Sequence, residues 1–216
     1  MSKTSTVLSD AHFEYIAART AGDDAFLTRL KSQAAAAGIR AIWIAPEQAA
    51  FMQILLRAAK AREVVEVGTL AGYSAIQMAR ALPAGGRVRT IDVDPACVRF
   101  ARQWIAQSDV KDKVTVLEGR GADVLRTFEA ESADAAFLDA DKGNYPLYLE
   151  ESLRIVKPGG LILVDNAFAF GQLLDEHPTD SDVAAVREFN EILARETRVQ
   201  AVIVPLGDGL WVGVKR

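Results

Sequence analysis

The stretch EVVEVGTLAGYSAIQ, residues 63–77, determines how the rest of the chain is interpreted. It begins with the apolar run 64–67, is interrupted by Gly68 and Gly72, and continues as a helix-like segment from Tyr73 onward. A strand, a glycine turn and a helix in this order build the nucleoside-cofactor site of doubly wound α/β proteins. The glycines let a ligand approach the backbone closely, and the helix N-terminus offers it free N–H groups.

The spacing of these glycines narrows the choice of ligand. Dinucleotide-binding loops read G-x-G-x-x-G, whereas residues 68–72 read GTLAG and lack the close glycine pair that admits a pyrophosphate. An acid, Glu66, precedes the first glycine by two residues, where it disfavours a phosphate and favours a cation or a hydroxyl donor. S-adenosylmethionine (SAM) meets these conditions, because it has no phosphate and carries an ammonium and a sulfonium. For the loop taken alone, a purely structural turn is the alternative.

The composition predicts one globular domain without nucleic-acid or membrane partners. Of the 216 residues 50% are hydrophobic and 25% are charged, and the net charge of -4 with no basic stripe argues against binding nucleic acid. The single cysteine, Cys97, excludes an internal disulfide framework, and its place in a predicted helix indicates a core residue. No apolar run approaches the ~20 residues that cross a bilayer, and residues 1–12 lack the apolar core of a secretion signal. We therefore expect a cytoplasmic location.

Strands and helices are predicted to alternate from residue 63 onward, which implies a parallel sheet with helices on both faces. The predicted strands are 63–67, 87–92, 113–117, 134–139 and 160–165, and the predicted helices are 72–82, 95–107, 121–129 and 145–156, with chain breakers at 83–86 and 157–160. A helix near 181–196 is followed by apolar runs at 199–205 and 210–214, whose turn, Gly207-Asp208-Gly209, predicts a hairpin with at least one antiparallel strand. We expect an α/β fold with a doubly wound, Rossmann-like, seven-stranded sheet that is mostly parallel.

The first 60 residues are predicted to form a helical extension of this core. Helices are expected from Ser9 or Asp10 to Thr20, from Asp23 or Asp24 to the alanines before Gly38, and from Pro46 onward. They are expected to pack against the sheet or against a second subunit. Residues 1–216 are thus expected to form one domain, with the extension in 1–60 and the α/β core in 61–216.

Acidic residues end four of the five predicted strands before the hairpin, at the edge where such sheets bind ligands. Asp92 follows Gly72 by about 20 residues, the separation at which an acid binds a ribose diol. The third strand ends in Glu118-Gly119-Arg120-Gly121, which suits packing against a flat ring. A helix cap or a solvated loop end is the alternative for each acid taken singly, but the joint pattern favours a site.

Asp139, Asp165 and Asn166 end the fourth and fifth strands, which should be neighbours. Two carboxylates and an amide oxygen are hard ligands that suit Mg²⁺, and three protein groups leave coordination positions for water and a chelating substrate. Lys142 follows closely and could serve as a general base beside a bound dication. Taken alone, it reads as a surface lysine.

With these motifs in the right order, the chain resembles the cation-dependent class I O-methyltransferases, the family that includes catechol and caffeoyl-CoA O-methyltransferases. The resemblance runs from about Pro46 to the C-terminus. It is carried by the motifs Val65-Glu66-Val67-Gly68-Thr69 with Gly72-Tyr73-Ser74, Thr90-Ile91-Asp92, Phe137-Leu138-Asp139-Ala140-Asp141-Lys142 with Tyr145, and Val164-Asp165-Asn166.

The resemblance implies a role for each of these positions. The implied cofactor-binding residues are Ile42, Ile44, Glu66, Gly68, Thr69, Leu70, Gly72, Ser74, Asp92, Gly119, Arg120, Gly121 and Asp139. The implied metal ligands are Asp139, Asp165 and Asn166, and the implied catalytic residues are Lys142 and Asp139. The implied substrate contacts are Trp43, Lys142, Phe168 and Phe170, although Trp43 could equally be a buried structural residue and the two phenylalanines could form a dimer contact.

The expected function is SAM- and Mg²⁺-dependent methylation of one hydroxyl of a small catechol-like acceptor by a homodimer. Departures from the family pattern at Ala49-Ala50 and at residues 167–170 leave the acceptor open. The alternatives are a catalytically silent SAM-binding or assembly protein, against which the intact metal and lysine set argues, and an NAD-dependent oxidoreductase, which needs the missing pyrophosphate glycines.

Overall fold

The structure, a computed structural model, describes residues 8–216. The strands are β1 (Glu63–Val67), β2 (Arg87–Asp92), β3 (Val114–Glu118), β4 (Ala133–Leu138), β5 (Val156–Val164), β6 (Val199–Val204) and β7 (Leu210–Lys215). The helices are α1 (Asp10–Ala17), α2 (Ala25–Ala36), α3 (Pro46–Ala58), α4 (Tyr73–Ala81), α5 (Pro95–Ile105), α6 (Gly121–Leu125), α7 (Tyr145–Ile155) and α8 (Val183–Arg195), with a short 3₁₀ turn at Lys142–Asn144.

The seven strands form a single mixed sheet in the order β3-β2-β1-β4-β5-β7-β6. The first five strands in this order are parallel, and β7 runs antiparallel to both β5 and β6. The chain order reverses between β1 and β4, so the edge beside their carboxyl ends is the place where such sheets hold ligands. The predicted doubly wound, mostly parallel sheet with an antiparallel C-terminal strand is confirmed.

A hydrophobic core covers each face of the sheet. Alternate residues of β1 point to opposite faces, with Val64 in the core beneath α2 to α5 and Val65 in the core beneath α6 to α8. β4 and its neighbour β5 alternate in the same way, which explains the apolar runs at residues 135–138 and 161–164. Glu66 shares the face of Val64 and is therefore a carboxyl group inside a core.

Within the α/β core, the predicted boundaries hold closely except at β5 and α6. β5 begins at Val156, because the expected breaker at 157–160 forms an irregularity within the pairing to β4 and Gly159 takes a positive φ of 80° there. α6 ends at Leu125 because the N–H groups of Thr127 and Phe128 bond to carbonyls three residues earlier, which tightens the chain into a turn.

The helices of the N-terminal region differ in how they are packed. Leu27 and Leu30 of α2 and Met52 of α3 lie in the same core as the strand residues, whereas α1 has no buried residue. α1 ends at Ala17, three residues short of the predicted Thr20. The division into 1–60 and 61–216 stays a prediction, and residues 1–7 of that range lie outside the described residues. Within residues 8–216, every helix is too short or too polar to span a bilayer.

Candidate active site

A cavity of about 1270 Å³ opens along the carboxyl ends of β1, β2, β4 and β5. Its walls come from the loops that follow these strands, from residues 37–45 ahead of α3, and from Asp165, Asn166, Phe170, Gly207 and Asp208. The volume is enough for a nucleoside cofactor together with a small second molecule. The cavity therefore lies at the edge where the strand-end acids were expected.

The loop between β1 and α4 is fixed by both neighbouring strands. Gly68 donates its N–H to the carbonyl of Ile91 at 2.9 Å, and Asp139 donates its own N–H to the carbonyl of Val67 at 2.9 Å. Gly68 has a φ of 110°, and a Cβ at this position would collide with the carbonyl oxygen of Asp139. Only glycine suits this position, because it combines a left-handed conformation with a close backbone approach.

Glu66 lies one layer behind the cavity wall. Its side chain is fully buried, it accepts a hydrogen bond from the Ser74 hydroxyl, and its second oxygen has no hydrogen-bond partner among the described residues. Burial raises the pKa of Glu66 from its ordinary value of 4.5 to about 8. Ser74 itself lines the cavity. Glu66 can therefore act on a ligand through Ser74 or through its unpartnered oxygen.

Asp92 at the end of β2 is held by two backbone N–H groups. Leu70 donates to one carboxylate oxygen at 2.8 Å and Asp94 donates to the other at 2.9 Å. Leu70 takes a φ of 47°, which turns its N–H toward this carboxylate. Each carboxylate oxygen accepts more than one hydrogen bond, so Asp92 retains acceptor capacity toward the cavity that it lines.

The turn after β3 lies further along the same cavity. Gly119, Arg120 and Gly121 all line it. A Cβ at Gly121 would lie 2.9 Å from the ring of Tyr148, so the glycine lets the start of α6 lie against this aromatic side chain. Tyr148 is itself fixed, because its hydroxyl donates to Asp141 at 2.6 Å. At Gly119 and Gly121 the turn therefore exposes backbone atoms, rather than side chains, to the cavity.

Lys142 is the centre of a polar cluster at the ends of β4 and β5. Its Nζ lies 2.6 Å from Asn166 Oδ1, 2.6 Å from the Tyr145 hydroxyl and 3.2 Å from Asp139 Oδ1. An ammonium has three hydrogens, and these contacts use all of them. Only 6% of the side chain is exposed. One cationic nitrogen thus lies within hydrogen-bond distance of two oxygens from separate strands.

Asp165 is the third candidate metal ligand of this cluster, after Asp139 and Asn166. It is buried, and the side-chain amide of Gln48 donates to its Oδ1 at 2.7 Å. Burial, followed by the negative charge of Asp139, raises the pKa of Asp165 to about 7. The two carboxylates are therefore close enough to repel each other, and a cation between them would relieve that repulsion. The described residues contain no group of three or more His, Cys, Asp and Glu side chains that could hold a metal; this set consists of two carboxylates and an amide.

Aromatic side chains flank the cluster. Trp43 and Phe170 line the cavity, and the Phe170 ring centroid lies 5.9 Å from Lys142 Nζ. Phe168 does not line it, because this ring packs against the backbone of Gly209, where a Cβ would lie 2.8 Å from the ring. Ile42 and Ile44 line the cavity from the segment before α3, with Ile42 exposed and Ile44 buried.

Most of the residues predicted from the sequence line this one cavity. They are Ile42, Trp43, Ile44, Gly68, Thr69, Leu70, Ser74, Asp92, Gly119, Arg120, Gly121, Asp139, Lys142, Asp165, Asn166 and Phe170. Three do not: Glu66 lies behind Ser74, Phe168 faces the 207–209 turn, and Gly72 packs against Ile105 of α5.

Sequence reasoning missed three side chains that hold the cluster together: Gln48, Tyr145 and Asp208. Tyr145 belongs to a motif that carries the family resemblance, but the resemblance implies no role for it. Asp208 belongs to the turn that predicts the hairpin. Its position in a Gly-Asp-Gly turn was the available signal, since flanking glycines let an acid approach other backbone closely. The sequence around Gln48 contains no pattern that predicts its contact with Asp165.

The chain is similar to known O-methyltransferases. A family model described as O-methyltransferase matches residues 17–216. A catechol O-methyltransferase of Niastella koreensis is 40% identical over 196 residues, which cover 89% of this chain and 86% of that protein.

Two solved structures extend the comparison. An O-methyltransferase from Bacillus cereus in complex with SAH is 34% identical, with a TM-score of 0.86 and coverage of 95% of this chain and 97% of that one. The O-methyltransferase TomG from Streptomyces achromogenes, in complex with SAM, is 28% identical, with a TM-score of 0.84 and coverage of 95% and 96%.

Proposed function

Because the chain belongs to the O-methyltransferase family and is a SAM-dependent enzyme, we propose that it methylates one hydroxyl of a small catechol-like diol with the help of a divalent cation, expected to be Mg²⁺. The observation that carries this proposal is the cluster at the ends of β4 and β5. There, Lys142 Nζ contacts both Asp139 and Asn166. Asp139 and Asp165 follow the paired strand residues Leu138 and Val164, and the Asp165 N–H donates to the Leu138 carbonyl at 3.0 Å.

The donor set supports the dication. Asp139, Asp165 and Asn166 contribute hard oxygen atoms, and the Lys142 ammonium already occupies a place where positive charge contacts two of them. A dication bound by the same oxygens would compete with Lys142 for Asp139 and Asn166. The charge of the dication would favour loss of a proton from the Lys142 ammonium, and the neutral amine would keep Tyr145 as its partner and have a lone pair to accept a proton.

The rest of the cavity supports the placement of SAM. The Asp92 carboxylate suits the ribose hydroxyls, and the turn 119–121 suits the adenine ring. Ser74 and the backbone of residues 68–70 suit the methionine end, with the unpartnered oxygen of Glu66 behind them as an acceptor for its ammonium. We further propose that Ile42 and Ile44 cover the cofactor and that Trp43 and Phe170 contact the acceptor.

The acceptor class rests on the donor set and on one relative. A cation held by three protein oxygens has room for two adjacent hydroxyls, which is the geometry of a vicinal diol. The relative from Niastella koreensis is named a catechol O-methyltransferase. Phe168 is not part of the proposed acceptor wall, because its ring packs on Gly209 instead.

The proposed chemistry uses few side chains. When bound, SAM supplies an electrophilic methyl group and the dication makes an acceptor hydroxyl more acidic. As a neutral amine, Lys142 would take the proton from that hydroxyl. The hydroxyl oxygen would bond to the methyl carbon as the bond from that carbon to the sulfonium sulfur breaks, which gives a methyl ether and SAH, and Lys142 would then release the proton to water. Asp92 and Ser74 at one end and the oxygen cluster at the other align the two reactants, and alignment of this kind can supply ~7–11 kcal/mol.

The proposal is tested by measuring methyl transfer from SAM to catechol and to phenol, with and without EDTA. We expect transfer to catechol that is lost in EDTA and restored by Mg²⁺, with little transfer to phenol. Asp165→Ala should lower the rate by about 10²-fold or more, whereas the exposed Asp112→Ala serves as a control and should keep it. Full activity in EDTA, or full activity of Asp165→Ala, would contradict the role of the cation.

One further expectation rests on the family resemblance and another on the sequence pattern. We expect a homodimer, which light scattering of the eluted protein would test by its mass. A cytoplasmic location likewise stays a prediction.

A further inference from the structure

Asp208 lies in the turn between β6 and β7, and its carboxylate collects three N–H donors. Oδ2 accepts from Asn166 Nδ2 at 3.1 Å and from the Phe170 N–H at 2.8 Å, and Oδ1 accepts from the Gly171 N–H at 3.1 Å. Two of these donors belong to residues given a role above. The turn itself is 37 to 42 residues away from them along the chain.

The contact with Asp208 determines which atom of the Asn166 amide faces the oxygen cluster. A carboxylate only accepts hydrogen bonds, so the Asn166 Nδ2 points toward Asp208. The opposite amide atom, Oδ1, then points toward Lys142 Nζ at 2.6 Å, and an ammonium only donates. Rotating the amide by half a turn would place two donors together and two acceptors together.

The backbone of residues 166–170 also depends on this turn. Asn166, Ala169 and Phe170 have φ values of 64°, 53° and 60°, a conformation that residues other than glycine seldom adopt. The turn holds the segment through the N–H of Ala167, which donates to the Gly209 carbonyl at 2.9 Å, and the N–H of Phe168, which donates to the Asp208 carbonyl at 2.8 Å. The Asp208 carboxylate adds the two bonds to Phe170 and Gly171.

We propose that Asp208 is a positioning residue, which holds the Asn166 amide oxygen toward a bound dication and fixes Phe170 in the cavity wall. The inference rests on the proposed function, because it presumes that Asn166 is a metal ligand. Groups that orient a metal ligand commonly alter metal affinity by about 10- to 100-fold when they are replaced.

The first test compares Mn²⁺ binding by the full-length wild type, Asp208→Asn and Asp175→Asn, without acceptor. Asp175→Asn is the matched control, since it removes the same charge from an exposed position of the neighbouring segment. Titration calorimetry should show Mn²⁺ affinity reduced at least ~10-fold in Asp208→Asn and changed by less than about twofold in Asp175→Asn. SAH affinity should stay close to wild type in both, because Asp208 lies at the acceptor end.

The second test exchanges the two side chains. In Asn166→Asp alone, a carboxylate faces the Asp208 carboxylate, so Mn²⁺ binding should weaken. In the double variant Asn166→Asp with Asp208→Asn, the amide at position 208 can donate to the carboxylate at position 166. We expect the double variant to bind Mn²⁺ more tightly than Asn166→Asp by about fivefold or more. SAH affinity close to wild type in both variants would separate this effect from a role in general folding.

Four outcomes would count against the inference, and the last would also count against the proposed cation. If the wild type binds Mn²⁺ and Asp208→Asn binds it equally well, the inference about Asp208 is wrong and the proposed cation stands. The same conclusion follows if the exchange variant binds SAH but recovers no Mn²⁺ affinity. Loss of SAH binding together with Mn²⁺ binding in Asp208→Asn would show a general folding role and overturn it too. A wild type that binds no Mn²⁺ would instead overturn the proposed cation along with it.

Discussion

At the scale of single residues, Lys142 is a buried ammonium with every hydrogen engaged. Removing its charge leaves Asn166 and Tyr145 without their partner, and it also removes the proposed base. Lys142→Met, which keeps the length of the side chain, should lower kcat by about 10²- to 10⁴-fold, because general-base catalysis contributes about that much. Steady-state kinetics with catechol would measure it.

The measurement needs a control for folding, since Lys142 is buried. SAH affinity of Lys142→Met should remain close to wild type, because the cofactor end of the cavity involves other side chains. Retention of more than a tenth of the wild-type kcat would contradict the assignment of Lys142 as the base.

Glu66 should make the free energy of unfolding depend on pH. Burial raises its pKa from 4.5 to about 8, so the folded protein holds a proton that the unfolded chain releases. The free energy of unfolding therefore falls as pH rises from about 4.5 to about 8, by at most roughly 1.4 kcal/mol per pH unit from this group. Glu66→Gln cannot release a proton, so its stability relative to wild type should increase over this interval.

Urea unfolding of the ligand-free proteins at several pH values would measure this difference. Glu129→Gln, on an exposed residue, is the control and should follow wild type. A stability difference that is the same at pH 5 and pH 8 would mean that Glu66 titrates normally in the folded protein.

At the scale of elements, the loop from β1 to α4 depends on close contact between backbones. Gly68→Ala would place a Cβ against the Asp139 carbonyl oxygen at a φ of 110°, so it should lower the free energy of unfolding by about 2 to 5 kcal/mol. Gly22→Ala is the control, because a Cβ there meets no atom within 4 Å. Chemical denaturation of both variants would measure the effect, and equal stability would show that β1 and β4 are further apart than described.

Local pattern was enough to predict the elements and the strand-end acids. Asp139 and Asp165 each follow an apolar run, and Asp92 ends the predicted strand 87–92, so their common edge follows from the rules for parallel sheets. The contacts that complete the site could not be predicted in this way. Gln48 and Asp165 are 117 residues apart, and Asp208 and Asn166 are 42 apart, so their pairing is a consequence of tertiary packing.

The direction of single side chains was also beyond the sequence. Phe168 and Phe170 have the same chemistry and are two residues apart, but only Phe170 lines the cavity. The positive φ values at Ala169 and Phe170 interrupt the regular alternation of side chains. Alanine and phenylalanine do not predict a positive φ, so this interruption could not be read from the sequence.

At the scale of the whole molecule, the cofactor should stabilise the fold selectively. SAH at about 100 times its dissociation constant should add about 2.7 kcal/mol, which raises Tm by about 5 to 10 °C for a domain of this size. NAD should leave Tm unchanged, because the loop at residues 68–72 lacks the glycine pair for a pyrophosphate. Thermal unfolding with each ligand measures the difference, and stabilisation by NAD alone would contradict the cofactor assignment.

The central claim is that Asp139, Asp165 and Asn166 hold one dication beside Lys142. Its most direct test is the anomalous scattering of Mn²⁺ in crystals grown with SAH and MnCl₂. We expect a peak within about 2.5 Å of one oxygen from each of these three residues, with Lys142 Nζ no longer bonded to Asn166 Oδ1. An active enzyme whose crystals show no peak there, while Lys142 keeps its contacts with Asp139 and Asn166, would contradict it.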